Sequence, residues 1–310
     1  MQLFSPQSKK NPADAGNGPL SAPQEDHMPI RTDLAIESTD TADGKLPEGV
    51  FVEQNEQDGI KLTTVRIDTE EASRRLGKPP GRYLTFEIPI TSATDNGAKA
   101  ASLLAEKLAE MLPAGPVLVA GLGNEQITPD ALGPRAARQI LATRHIGLDM
   151  AAKLGLEGLR PVCSIAPGVL GQTGIETAEM IASVARDISP AAVVVIDALV
   201  SRSLSRLGAT VQLSDTGIAP GGGVLNQRAA LNQKSLGVPV ISVGVPTVVD
   251  GATMVTDLGG GQPSEEASGV MVTPRDIDQL IDKGARLISS AVNIALQPQL
   301  SPDDIAYLTA

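Results

Sequence analysis

The sequence predicts an α/β protein, a mostly parallel sheet with helices on both faces, and three observations point there. Aromatic residues make up 2% of the chain, with no Trp, so a core must be built from Ala, Val, Ile and Leu, the side chains of buried parallel strands. Beyond residue 116, short apolar runs alternate with stretches of helical periodicity, the pattern of right-handed crossovers. A chain of 310 residues, 42% hydrophobic and 20% charged, can bury such a core in one large domain or two small ones.

The elements follow in order. Residues 1 to about 30 are rich in Pro, Gly, Ser, Asn and Lys without apolar periodicity, the composition of a disordered or removable arm. KLTTVRI (61–67) and YLTFEIPI (83–90) read as strands, with RRLGKPPG between them as the turn-rich link of a hairpin or meander. TDNGAKAASLLAEKLAEML (94–112) has helical spacing, Thr94 or Asp95 to cap it and Pro113 and Gly115 to stop it. Strands are expected at 116–120, 161–166, 191–196, 209–213 and 239–245, and helices near 131–143, 174–188 and 199–206. The stretch 256–269 reads as a loop, and 273–297 as a long helix opening at Thr273 and Pro274.

Composition excludes several function classes. A net charge of -11 gives no attraction to nucleic acid, and no basic run interleaved with aromatics offsets it. The apolar runs PVLVA and AAVVVIDALV are far shorter than the roughly 20 residues needed to cross a bilayer. The N-terminal stretch has no apolar core behind its lysines, so a location inside the cell is expected. The single Cys163 excludes an intramolecular disulfide and any CxxC metal site.

Motifs narrow the chemistry further. In VLVAGLGNEQITPDALGPR (117–135) the dinucleotide pattern GxGxxG fails, because Gln126 stands where the third small residue belongs. There is no GxxxxGK[ST], GxSxG or HExxH, and with only His27 and His145 a mechanism needing several histidines is excluded. Carboxylates remain. Asp130 follows the strand PVLVA and Asp197 ends VVVI, so both can reach the crevice outside the carboxyl ends of the strands. Each alone reads equally as the cap of a following helix. Together, two carboxyls within hydrogen-bond reach share a proton, leaving one as base for water and one as acid, which suffices to hydrolyse an amide. Asp215 and Asp250 also follow apolar strands, Gly221 to Gly223 form a Gly-rich stretch, Cys163 reads as a buried small hydrophobe, and His145 as a partner for a helix C-terminus.

Several segments together resemble the spore germination protease family. They are RTDLAIE (31–37), GLGNEQITPDALGPR (121–135), TRHI (143–146), PGVLGQTGIET (167–177), IDALVSRS (196–203), SDTGIAPGGGV (214–224), LGVPVISVGVPTVVD (236–250) and MVTPRDID (271–278), in family order across most of the chain. The resemblance implies a fold similar to hydrogenase-maturation endopeptidases and an unconventional aspartic-type peptidase with Asp130 and Asp197 as the catalytic pair. It implies a zymogen of the spore core that degrades small acid-soluble spore proteins and assembles as a tetramer, with no organic cofactor. Residues 1–33 then become a propeptide ahead of one α/β peptidase domain, 34–310. RTDLAIE resembles the substrates' recognition sequence, which places the self-cleaved bond between Asp33 and Leu34 with Thr32, Ala35 and Glu37 as flanks.

Arg135, Arg202 and Arg228, each near a motif loop, are candidates to read acidic substrate residues. Two departures stand out: Ala219 occupies a position where relatives often carry His, and the segment between Asp250 and Met271 is shorter than in many of them. Metal-assisted proteolysis by the same aspartates, a non-catalytic module binding spore proteins, and a nucleotide-binding protein are the alternatives.

Overall fold

The computed structural model describes residues 32–40, 44–91, 97–154, 157–219, 229–259, 267 and 270–309. The Gly-rich stretch 221–223, Arg228 and all but the last two residues of the expected propeptide lie outside them.

Among the described residues nine strands form one sheet: β1 (Val50–Gln57), β2 (Ile60–Ile67), β3 (Gly81–Glu87), β4 (Val117–Gly121), β5 (Val162–Ile165), β6 (Ala192–Ser201), β7 (Thr210–Ser214), β8 (Val240–Asp250) and β9 (Met271–Val272). Their spatial order is β1-β2-β3-β7-β8-β6-β4-β5, with β9 against β8. The run β8-β6-β4-β5 is parallel, and the Val- and Ile-rich strands β4 and β6 within it are buried along almost their whole length. From β8 outward through β7, β3, β2 and β1 every pairing is antiparallel. The fold is thus α/β around a mixed sheet, largely parallel at its centre.

Helices cover both faces. On one face lie α3 (Gly97–Met111), α4 (Leu132–Ala137) and a long helix, Ile277–Leu296, packed on Leu84, Phe86, Val119, Val194, Ile196 and Val243. Gly284 lets the long helix approach Leu132, whose Cδ1 lies 3.1 Å from where a Cβ would stand. The other face carries two clusters. One joins helix Thr177–Ile188 to Leu118, Ala120, Val193 and Val195; the other joins Leu34, α1 (Ala35–Ser38) and α2 (Glu70–Leu76) to Val65, Tyr83 and Leu199.

Four local expectations are corrected. The link before β3 begins with α2, which Thr69 opens by accepting from the Ala72 N–H and Gly77 closes at φ +65°. Residues 199–201 are not helical but continue β6, because β8 is long enough to extend the ladder to Ser201 and Val249; a short 3-10 turn, Leu204–Arg206, follows. The expected helix 131–143 ends at Ala137, and residues 256–259 belong to a helix, Gly251–Gly259, rather than a loop. β1 had no sequence expectation: its central residues are exposed and polar, so the apolar alternation that marks a strand is missing.

Candidate active site

Asp130 and Asp197 both lie beyond the carboxyl end of β4. β4 and β6 run side by side until Gly121 faces Ile196, and the next residue, Leu122, donates its N–H to the Ile196 carbonyl at 2.8 Å. Asp197 is therefore the first residue of β6 beyond the end of β4. The turn that starts at Leu122 folds back on itself: Gly123, at φ +116°, has its would-be Cβ position 2.0 Å from the Asp130 carbonyl oxygen, which no side chain tolerates. Asp130 Oδ2 accepts the Asn124 N–H at 2.7 Å, and the Thr247 hydroxyl of β8 ties down the Pro129 carbonyl at 2.8 Å. The glycines of GLGN thus shape a turn around Asp130. Asp197 is 7% exposed and its Oδ1 accepts the Ala198 N–H at 2.9 Å.

Strand register shows what faces Asp197. Gly244 pairs with Asp197 on one side and with Gln212 on the other, and Thr85 and Thr63 continue the row. Directly paired residues point to one face, so Asp197 and Gln212 look the same way across a glycine, two strands or about 10 Å apart. Gly244 makes room for Leu199, since a Cβ there would stand 2.6 Å from Leu199 Cγ and 2.8 Å from the Asp197 carbonyl. A cavity of about 250 Å³ opens here, lined among others by Asp33, Lys78, Leu199, Gln212 and Gly244.

The segment Thr32–Glu37 occupies this face. Asp33 donates its N–H to the Val200 carbonyl and accepts the Val200 N–H on its carboxylate, both at 2.8 Å, beside the register shift in β6 between Leu199 and Val200. The Gln212 amide donates to the Asp33 carbonyl at 3.1 Å and accepts the Ala35 N–H at 2.8 Å. Leu34, 0% exposed, packs with Leu199. Glu37, 1% exposed, accepts the N–H groups of Arg202 and Ser203 at 2.7 and 3.0 Å and the Thr32 hydroxyl, with Arg206 Nε 3.7 Å away.

The charges are held out of water. Burial pushes the Asp33 carboxyl up from its ordinary value, an effect that the Lys78 ammonium and the Val200 N–H oppose. Burial likewise pushes Lys78 down, against the pull of Asp33 and Glu37, while its Nζ donates to the Thr32 carbonyl at 2.8 Å. Tyr83 on the same face is pushed up to about 12 by burial, and its hydroxyl donates to the Pro79 carbonyl.

Of the arginines singled out in the sequence, Arg202 meets the segment through its main chain, and its guanidinium pairs with Asp40 at 3.1 Å. Arg135 pairs with Asp282 on the opposite face. Asp215 pairs with Arg82 at 3.0 Å, and Asp250 accepts the Ala252 N–H at the start of a helix. Cys163 is half-buried in β5 and burial pushes its thiol up. Sequence reasoning missed Lys78, Gln212 and Gly244. Only the alternation in TVQLS, which turns Gln212 away from Val211 and Leu213, hinted at one of them. Among the described residues no group of three His, Cys, Asp or Glu side chains is arranged to hold a metal, and no helix is long and apolar enough to cross a membrane.

Comparison with known proteins gives the family. The family model of the germination protease matches residues 31–259. Germination proteases of Clostridium tetani and Clostridium perfringens are 41% and 40% identical to the chain, covering 91% and 89% of it and 100% and 98% of their own lengths. One from Caldanaerobacter subterraneus is 39% identical over 90% of the chain. The protein is therefore a peptidase, a hydrolase built on an α/β sheet. More narrowly, the chain belongs to the germination protease family.

Proposed function

We propose that this peptidase is made as a precursor, removes its own N-terminal segment by cutting between Asp33 and Leu34, and then degrades small acid-soluble proteins of the spore core during germination. Asp130 and Asp197 supply the chemistry. One carboxylate takes a proton from water, which attacks the carbonyl carbon on the C-terminal side of an acidic residue. The other, protonated, gives its proton to the leaving amine. The shared proton belongs to the pair, so either can begin as the base.

One observation carries this reading: the stretch Thr32–Glu37 lies docked in extended-to-helical form on the face that Asp197 shares, with partners for the Thr32 and Asp33 carbonyls, the Ala35 N–H and the Asp33 and Glu37 carboxylates. A substrate with the same pattern, an acidic residue followed by an apolar residue, Ala and a later Glu, fits the same contacts. Arg202 serves such a substrate through its amide as well as its charge, and Arg135 and Arg228 remain candidates for more distant substrate residues. No cofactor enters the scheme, and the active species is a tetramer.

The deciding experiment follows the intact mass of the full chain in mildly acidic buffer beside Asp130→Asn and Asp197→Asn. Loss of residues 1–33 in the parent chain alone is expected, with each variant slower by at least about 100-fold. Equal trimming of all three would point to a contaminating protease. A chain that holds a spore-protein peptide without cutting it, with no effect of Asp197→Asn, would make this a binding module whose docked segment is a tethered occupant. Loss of cutting on chelation would assign the same aspartates to a metal.

A further inference from the structure

We propose that Gln212 is a catalytic residue of this site, the donor that polarises the carbonyl of the bond to be cut. The inference rests on the proposed cleavage between Asp33 and Leu34. In that bond the carbonyl belongs to Asp33, and the Gln212 amide N–H points at its oxygen from 3.1 Å. The other half of the same amide accepts the Ala35 N–H at 2.8 Å, so one side chain spans Leu34 and clamps the peptide on both sides. The orientation of the amide is forced. A carbonyl can only accept and an N–H can only donate, so nitrogen must face Asp33 and oxygen must face Ala35.

Position makes this more than a structural contact. Gln212 is 6% exposed on β7 and stands on the sheet row of Asp197, one strand beyond Gly244, over which the Leu199 side chain packs. The bond held by Gln212 thus lies on the face of the sheet that Asp197 shares. When the water oxygen bonds to the Asp33 carbonyl carbon, the π pair moves onto the carbonyl oxygen and the water proton goes to a carboxylate. The Gln212 N–H then faces an oxyanion instead of a neutral carbonyl, and its hydrogen bond strengthens as the charge grows. Collapse of that intermediate returns the pair to the carbonyl and breaks the bond to the Leu34 nitrogen, which takes its proton from the acid. The donor sits on a strand fixed by neighbours on both sides, β3 and β8, and need not reorganise during the reaction.

The test compares self-cleavage of the full chain with Gln212→Met and Gln212→Glu, Asp197→Asn serving as the silent control. Gln212→Met removes both halves of the clamp. Gln212→Glu keeps the acceptor for Ala35 and, when ionised, loses only the donor. Both are expected to slow the cut by about 100-fold or more near neutral pH. In Gln212→Glu, hydrogen exchange at the Ala35 amide should stay as slow as in the parent. Its rate relative to the parent should recover as falling pH protonates the new carboxyl, whereas Gln212→Met shows no such recovery.

If either variant cuts within about threefold of the parent rate while Asp197→Asn is silent, the role of Gln212 is overturned and the peptidase reading stands. If Gln212→Glu slows without recovery at low pH and loses Ala35 protection, Gln212 merely holds the segment and the proposal fails. A parent chain that never cuts between Asp33 and Leu34 overturns the peptidase reading, and the proposal with it.

Discussion

Two cavities in this protein make opposite statements about where function lies. The larger, about 600 Å³, sits between α3, the long helix Ile277–Leu296 and the last helix, Pro302–Leu308, and its walls are mainly apolar, with Lys283 and Arg286 at the rim. The smaller, about 250 Å³, has Asp33, Lys78 and Gln212 in its walls and a glycine at its floor. Volume alone favours the first. Yet the second is where buried polar groups converge on a peptide, on the sheet face that Asp197 shares. Burying a charge or an amide costs free energy unless it is paired, so a cluster of satisfied buried polar groups marks a surface shaped for something other than packing.

The sharpest way to break that comparison is to fill the smaller cavity at its floor. Gly244→Val places methyl groups against Leu199 and the Asp197 carbonyl, and is expected to lower self-cleavage by at least about 100-fold through misplacement of the reacting groups. Overpacking should also cost about 1–3 kcal/mol of stability, read by denaturant unfolding. Cutting at the parent rate would show that the space between Asp197 and Gln212 is not where the bond lies.

A smaller effect is expected from Glu37→Ala. The Arg202 and Ser203 N–H groups lose their acceptor, and the docked segment should loosen by about 1–3 kcal/mol. Faster hydrogen exchange at Ala35, measured in an Asp197→Asn background so that the chain stays whole, reports this directly. Unchanged exchange would mean that Leu34 and Gln212 hold the segment without the Glu.

Next comes pH. Burial raises the carboxyl of Asp33 above the value of about 3.9 that it has in an unfolded segment. The docked form therefore holds the proton more tightly, so its contribution to docking is complete below that value and is lost as pH rises through the docked value. Exchange at Ala35, corrected for its intrinsic pH dependence, should speed up as pH rises above about 3.9 in the Asp197→Asn chain and stay flat once Asp33→Asn is added. Burial shifts Lys78 downward, so its contribution has the opposite sign and is lost as pH falls through its docked value. A flat profile in both chains would mean that Lys78 and the Val200 N–H offset the burial of Asp33 in full.

The smallest effect belongs to the larger cavity. Ser290→Leu on its wall is expected to leave the self-cleavage rate within about twofold, because distant sites without shared partners act independently. A tenfold loss would show that the apolar cavity is coupled to the cut.

How much of this was legible in the sequence differs between the two halves of the sheet. The parallel strands announce themselves as unbroken runs such as VLVAG and AVVVI, since a strand buried on both faces has no polar side to show. Asp197 stood out because it interrupts such a run, and Asp130 because it lies in the turn that follows one. The antiparallel half was harder. β1 is exposed along most of its length, α2 hides in a stretch of charges, and the continuation of β6 past Asp197 depends on β8 lying beside it.

The sequence by itself determined the fold class, the position of Asp130 after a buried strand, and the motif RTDLAIE, because those follow from local composition and order; Asp197, expected at the end of a strand, lies within β6. Only the tertiary structure decided that this motif lies across the same face as Asp197, that Gln212 clamps the peptide on both sides of Leu34, and that Gly244 makes room for Leu199 beside it. Those residues are separated by as many as 179 positions in the chain. They meet only because strand register sets β6, β8 and β7 side by side, and register is a property of the assembled sheet rather than of any one strand.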